Sequence, residues 1–291
     1  MTARCAPVAA APRPRRVPTP QMIGRAATLA LHDELALSPK PGLVTLTDRG
    51  SHADMDAHTF MRSLFALRGY FVRIAELGHG GAPFEALEQC GIAAEARMLA
   101  ATGGVNTHRG AIFMLGLLCA SAGVLAAQGR SPAPAALREV LTQRWGEALA
   151  ARALRPPTLP GGLAARRLGL RSASAEAAAG LPTLFDTAMP ALRAAQQRGL
   201  PPAAARLDTL FAVIATLDDS NLAHRGGLGG LRFAQAAARG FLAAGGAAAP
   251  GGMQAAQAIG AAFVQRRLSP GGAADTLAAA CWLDRLQPTA P

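Results

Sequence analysis

Proline and glycine pairs cut this chain into Ala- and Leu-rich pieces, most clearly at Pro156-Pro157, Pro201-Pro202, Gly245-Gly246 and Gly251-Gly252. Between the cuts, apolar residues recur every three or four positions, the period of a helix with one buried face. Nowhere do Val, Ile and Thr alternate with polar residues as a half-buried strand requires. A chain so patterned has one economical solution: all-α, a single compact multi-helix domain with polar active-site loops between the helices.

The first helix is expected from Gln21 through Ile23, Ala26, Ala27, Ala30 and Leu31 to Leu37. Ser38-Pro39-Lys40-Pro41-Gly42 then stops it, because proline has no N–H to continue the ladder and biases the preceding residue away from helix. Amphipathic helices follow at Thr59 to Leu77, carrying Phe60, Leu64, Leu67 and Phe71, and at about 84–101. Others are expected at about 133–154, 183–199, 202–217, 229–244, 252–267 and 271–286. Residues 1–20 read as a disordered Arg/Pro-rich N-terminal arm, leaving 21–291 as the all-α catalytic domain.

Ala111 to Ala127 carries no charge and approaches the roughly 17 residues that a membrane span needs. It contains Gly116, Ser121 and Gly123 and follows a polar turn, so a buried core helix is expected. The N-terminal tail has arginines but no apolar segment of the signal-peptide kind. Cys5, Cys90, Cys119 and Cys281 are scattered without metal-type spacing, which fits reduced thiols. The expectation is a soluble, cytoplasmic protein with no membrane partner.

The formal charge of +11 invites a nucleic-acid reading. Yet Lys40 is the only lysine, the remaining positives are arginines, and no basic run interleaves with aromatics as an RNA platform would. Heavy use of Arg, Ala and Gly together points to base composition of the genome, and small anionic ligands suit the excess better than nucleic acid does.

Four polar loops carry the candidate chemistry. In the first, Ser38 to Asp56, prolines stiffen the chain, and Gly42 and Gly50 would let backbone approach a ligand. If its second half is extended, His52, Asp54 and Asp56 point one way, which suits a divalent cation or a general base; alternatively Asp56 caps the next helix. Glu34, one turn earlier, and Lys40 would face the same space. The second loop, Thr102 to Gly110, places Asn106, His108, Arg109 and Gly110 at a helix start, where free N–H groups and a guanidinium would hold an anion; Thr107 as a simple cap is the alternative.

The third loop, Leu217 to Gly227, carries Asp218 and Asp219 at the end of an apolar helix, where carboxylates need a cap, water or a cation. Asn221, His224, Arg225, Gly226 and Gly227 follow, and His224-Arg225-Gly226 repeats His108-Arg109-Gly110, suggesting two similar anion-binding corners. In the fourth, Ser269-Pro270-Gly271-Gly272, serine and proline suit a helix start. Two glycines in a first turn are poor helix formers, and their bareness would let a phosphate reach the N–H groups.

Together these loops resemble those of the triphosphoribosyl-dephospho-CoA synthase family. The matching elements are Pro39-Lys40-Pro41-Gly42-Leu43-Val44, Gly50-Ser51-His52-Ala53-Asp54-Met55 with Thr59-Phe60, and Gly104-Val105-Asn106-Thr107-His108-Arg109-Gly110. Asp218-Asp219-Ser220-Asn221-Leu222 with His224 to Gly227, Ser269 to Gly272 with Asp275, and the segment Ser174 to Phe185 complete the set. The resemblance spans roughly residues 22–286 and implies an all-α enzyme that joins ATP to 3′-dephospho-CoA, releasing adenine. The product is the precursor of the prosthetic group of an acyl-carrier subunit. Ser63 to Phe71 and Thr45 look closer to the malonate decarboxylase branch; the citrate lyase branch more often has aspartate where Thr45 stands.

That reaction asks for a carboxylate beside an oxocarbenium-like sugar and a base for a ribose hydroxyl. His52, Asp54, Asp56, Asp218 and Asp219 are the candidates, with Asp54, Asp218 and Asp219 the expected Mg²⁺ ligands. Partners implied are ATP, 3′-dephospho-CoA, and the acyl-carrier subunit or its prosthetic-group transferase. Two rivals remain: a Mg²⁺-dependent helical hydrolase of nucleotides or ADP-ribosyl groups, and a non-catalytic partner of an acyl carrier.

Overall fold

A computed structural model describes residues 17–287, and among them are twelve α-helices and no strand, as the periodicity requires. The expected arm lies, up to residue 16, outside the described residues. Helix α1 (Pro20–Ala36) begins where Thr19 accepts a hydrogen bond from the Met22 N–H and Pro20 takes the first turn. Helix α2 (Ala57–His79) and α4 (Arg109–Ala127) pack together at the centre, with α1 and α3 (Phe84–Thr102) against them.

The α2–α4 crossing is close because Gly78 lies on the backbone of Ala120 and Gly123 on that of Ala75; any side chain at either glycine would drive the helices apart. Helix α4 is long and apolar enough to span a membrane by length and composition, but 72% of its most apolar window is buried inside the fold. Leu115, Leu118 and Leu125 on it are fully covered. Each such leucine contributes roughly 1.5–3 kcal/mol of burial, so α4 is the core helix that the sequence suggested.

The chain continues through α5 (Pro134–Leu154), α6 (Pro160–Leu168) and α7 (Ala173–Ala178). The short α6 and α7 escape periodicity analysis: α6 opens Pro160-Gly161-Gly162, and α7 is a single capped stretch held by Ser172. Helix α8 (Met189–Gln197) is preceded by a π-helical turn, Thr183–Ala188. Pro190 has no N–H and its ring would meet the carbonyl of Asp186; widening the preceding turn relieves both. Helices α9 (Pro202–Thr216), α10 (Ser220–Ala243), α11 (Gly252–Gln265) and α12 (Gly271–Leu286) complete the bundle. Trp282 on α12 is fully buried, and its indole N–H donates to the Ile23 carbonyl on α1, fastening the last helix to the first.

One boundary expectation is corrected. Helix α10 starts at Ser220 rather than near 229, because Asp219 caps it by accepting from the N–H groups of Asn221 and Leu222. The glycines at 226 and 227 lie inside it, and Gly227 (φ 61°, ψ −165°) kinks the helix without ending it. His224-Arg225-Gly226 is therefore helical and not a loop.

Candidate active site

A cleft of about 970 Å³ opens where the first turns of α4, α10 and α12 converge with the loop between α1 and α2, and α6 and α7 form its far side. Helix starts present free N–H groups. Here two aspartates take several of them. One Asp219 oxygen accepts from Asn221 N–H (2.8 Å) and Leu222 N–H (3.3 Å); the other accepts from Ala273 N–H (3.0 Å). Burial pushes the Asp219 carboxyl up from its usual value, and these N–H donors pull it back. The Asp275 carboxyl lies against Gly110 at the start of α4, where the Ala111 N–H favours its charged form. Burial, with the charges of Glu34 and Asp219, pushes Asp275 well above the ordinary carboxylate range.

These carboxylates explain the glycines differently from the sequence reading. Gly110 is bare because the Asp275 carboxyl lies against it, Gly272 because Asp219 does, and Gly271 because the Asn221 side chain does. The room expected for a phosphate at Gly271 and Gly272 is filled by the protein's own side chains. Likewise, Gly42 sits under the Leu268 carbonyl and Gly50 against Gly42, so both pack backbone on backbone and not on a ligand.

The α1–α2 loop is anchored at both ends. Lys40 is 6% exposed, its amine on the Glu34 carbonyl oxygen (2.7 Å) and carboxylate (2.5 Å). Ser51 donates to the Leu268 carbonyl (2.6 Å), and His52 Nε2 lies 2.9 Å from Ser269 Oγ. Arg225 reaches over from α10, donating to the Ser51 carbonyl (3.0 Å), the Arg267 carbonyl (3.1 Å) and His52 Nδ1 (3.0 Å). A guanidinium only donates, so Nδ1 accepts and Nε2 carries the ring hydrogen toward Ser269. Burial and then the Arg225 charge lower the His52 pKa, against the opposing pull of Asp54. At neutral pH this imidazole is uncharged and held on both sides.

Asp56 does not belong to the cleft, contrary to expectation. It caps α2, accepting from the Thr59 N–H and hydroxyl (both 2.9 Å), and pairs with Arg49 on the outside. Lys40, Gly42, Gly226 and Gly227 are also absent from the wall. Lys40 is enclosed beneath it, and Gly226 abuts Leu268.

The other expected residues face the cleft. Asp54 and Asp218 are exposed at it, and among the described residues neither has an arginine or lysine partner. Asn106 accepts from the Arg109 N–H (3.2 Å), and Arg109 pairs with Glu95 at 2.5 Å. His108 is buried under the α4 start, with Nδ1 on Ser63 Oγ (2.6 Å) and its ring edge-on to Phe60. Burial, helped by the Lys40 charge, pulls its pKa down to about 3. His224 is exposed on the rim.

Sequence reasoning missed Asp275 as a wall residue, although it stood inside a quoted motif. It also missed the far side, where Arg152 binds Glu88 and Ser174, and Arg171 binds Glu176. No local spacing could have found the Glu88–Arg152 pair, whose members come from different helices, whereas Glu176 stands in the quoted Ser174 to Phe185 segment five residues from Arg171. Among the described residues, no group of three or more His, Cys, Asp or Glu side chains is arranged to hold a metal ion.

The chain resembles known proteins over nearly all its length. The family model described as CitG, ATP:dephospho-CoA triphosphoribosyl transferase, matches residues 20–290. A relative from Azotobacter vinelandii, named "Probable 2-(5''-triphosphoribosyl)-3'-dephosphocoenzyme-A synthase", is 40% identical over 280 residues, 94% of each chain. Relatives of the same name from Vibrio cholerae (40% over 275 residues, 91% of this chain and 87% of that one) and Acinetobacter calcoaceticus (38% over 251 residues, 86% of each) agree. No solved structure matches. The chain belongs to the ATP:dephospho-CoA triphosphoribosyl transferase family and is a transferase.

Proposed function

We propose that the cleft transfers the triphosphoribosyl group of ATP to a ribose hydroxyl of 3′-dephospho-CoA, releasing adenine, and that the product serves the acyl-carrier subunit of malonate decarboxylase. The observation that carries the reading is the charge of the wall. Among the described residues, eight carboxyl groups line it (Glu34, Asp54, Glu88, Glu95, Glu176, Asp218, Asp219 and Asp275), with Asp219 and Asp275 pushed up by burial, against four arginines (109, 152, 171 and 225). Three of those arginines are paired with glutamates, and the fourth is bound to backbone and His52. Two polyphosphate substrates entering so acidic a cleft need added positive charge. Mg²⁺ suits the donor set, since it takes one or two carboxylates and completes its shell with substrate phosphates and water.

One of Asp54 and Asp218 would hold the cation, because among the described residues neither carboxylate has an arginine or lysine partner; Asp54 lies 3.7 Å from His52 Nδ1 only. When bound, Mg²⁺ neutralises triphosphate charge. Asp219, its oxygens accepting backbone N–H groups, fixes α10 against α12 instead. As the bond from ribose C1 to adenine N9 breaks, positive charge grows on the sugar and the acidic wall stabilises it. The carboxylate of the Asp54/Asp218 pair not engaged by the cation accepts the proton of the attacking hydroxyl.

The test is chromatographic. Purified protein with ATP, Mg²⁺ and 3′-dephospho-CoA should release adenine only when the acceptor is present, with the joined product seen by mass. Adenine without acceptor makes it a hydrolase; no turnover and no ATP binding in equilibrium dialysis makes the cleft non-catalytic. Asp54→Asn and Asp218→Asn should each lose activity by about 100-fold or more with the fold intact, and full activity in both overturns the carboxylate roles. The carrier is tested by offering the product, with the prosthetic-group transferase, to the acyl-carrier subunits of malonate decarboxylase and citrate lyase.

A further inference from the structure

Among the described residues, two buried polar atoms at the cleft wall have nothing to bond to, the Thr107 hydroxyl oxygen and His108 Nε2; the hydroxyl can turn to donate or accept, whereas the imidazole nitrogen has a fixed direction. His108 is 3% exposed, and its Nε2 has no hydrogen-bond partner among the described residues. The other ring nitrogen meets Ser63 Oγ at 2.6 Å, and Ser63 is fully buried. The Ser63 hydroxyl makes no other hydrogen bond among the described residues, so it donates to Nδ1, and the ring hydrogen lies on Nε2. An unmet buried N–H costs about 1–3 kcal/mol, a cost that disappears when a ligand supplies an acceptor.

The surroundings say what kind of acceptor. Phe60 stands edge-on to the imidazole with ring centroids 4.9 Å apart, and Leu43, Val44 and Met55 line the same cleft from the α1–α2 loop. The ring is uncharged at neutral pH. A neutral donor among apolar side chains is poorly matched to a phosphate, which favours charge, and well matched to a flat uncharged heterocycle.

We propose that this wall seats the adenine of ATP, and that His108 donates its Nε2–H to a ring nitrogen of the base as it leaves. The proposal rests on the transferase reading and adds a role to it. When the C1–N9 bond breaks, its electron pair stays with the base, and N3 and N7 share the negative charge. A donor already aimed there binds the departing base more tightly than the bound nucleotide, which lowers the barrier. His108 keeps its own hydrogen; the proton that neutralises adenine is the one given up by the attacking hydroxyl. Ser63 acts as a positioning residue by fixing the tautomer.

The experiment compares ATP with 7-deaza-ATP and 3-deaza-ATP, each lacking one of the two acceptors, on the wild-type protein, His108→Phe and His108→Gln. Wild type should turn over one analogue about 100-fold more slowly than ATP, as for loss of one aimed donor. His108→Phe should be slowed by a similar factor with ATP and no further with that analogue. His108→Gln, which keeps an N–H near the Nε2 position, should recover part of the rate with ATP and remain sensitive to the analogue. If variant and analogue penalties multiply for both deaza compounds, His108 does not touch the base and the proposal fails. A wild-type protein that releases no adenine from ATP overturns the transferase reading itself, and that outcome is seen before any variant is compared.

Discussion

The tripeptide His-Arg-Gly occurs at 108–110 and at 224–226, and the two copies do opposite things with the same side chains. In the first, histidine is buried on Ser63 at the α4 start, and the arginine pairs with Glu95 on the cleft wall. In the second, histidine is exposed on the rim, while the arginine ties the α1–α2 loop to the segment before α12. The difference lies in the cap. His108 is itself the N-cap of α4, so its ring turns under the helix. Asp219 caps α10 five residues before His224, which leaves the second triplet one turn inside a helix with its faces already assigned. Identical residues take their role from their distance to the helix start.

The glycines offer the sharpest way to break this comparison. Gly110→Ala would drive a methyl into the Asp275 carboxyl, whereas Gly226→Ala meets only the tip of Leu268, 2.5 Å away. The first should cost about 3 kcal/mol or more; the second should stay within about 1 kcal/mol, since alanine also favours helix by about that much. Urea midpoints of both variants check it, and equal losses would contradict the packing described.

Next comes acidification. His108 ordinarily titrates near 6.5 but is held near 3 in the fold. The unfolded chain therefore binds a proton first, and stability present above pH 6.5 is lost as pH falls from there toward 3. Thermal scans across that window should show a slope that His108→Gln flattens. Smaller effects are expected from the arginines. Arg225→Ala frees three acceptors and should cost about 1–2 kcal/mol after solvent screening; Arg109→Ala loses one pair and should cost about 0.5–1 kcal/mol. Smallest is His224→Ala, within about 0.5 kcal/mol by the same melts.

The helices were legible because their apolar period is a local property; the pattern anticipates ten of the twelve, with α10 starting nine residues early and α8 six residues late, after a π-helical turn. Helices α6 and α7 were not legible, since their stability comes from packing and their sequences are full of glycine and proline. The loops of the candidate site were legible as polar interruptions, and Asp54, His108 and Asp218 do face one cleft. What those side chains touch was not. That Gly42 abuts the Leu268 carbonyl, or Gly110 the Asp275 carboxyl, depends on chain segments more than 150 residues apart. Asp56 shows the converse: a carboxylate in a suggestive cluster whose oxygens serve a cap and a surface arginine.

Lys40 has a consequence for the chemistry of the folded surface. Because the only lysine is sealed against Glu34, the native domain offers no side-chain amine to acylating agents, and its remaining cations are guanidinium groups, which those reagents leave alone at neutral pH. An activated ester that labels amines should therefore find the Lys40 site silent in the native protein and reactive once the α1–α2 loop detaches. The single ε-amine thus serves as an internal clock of opening: the rate at which the peptide containing it gains the label reads how often that loop leaves the body of the protein.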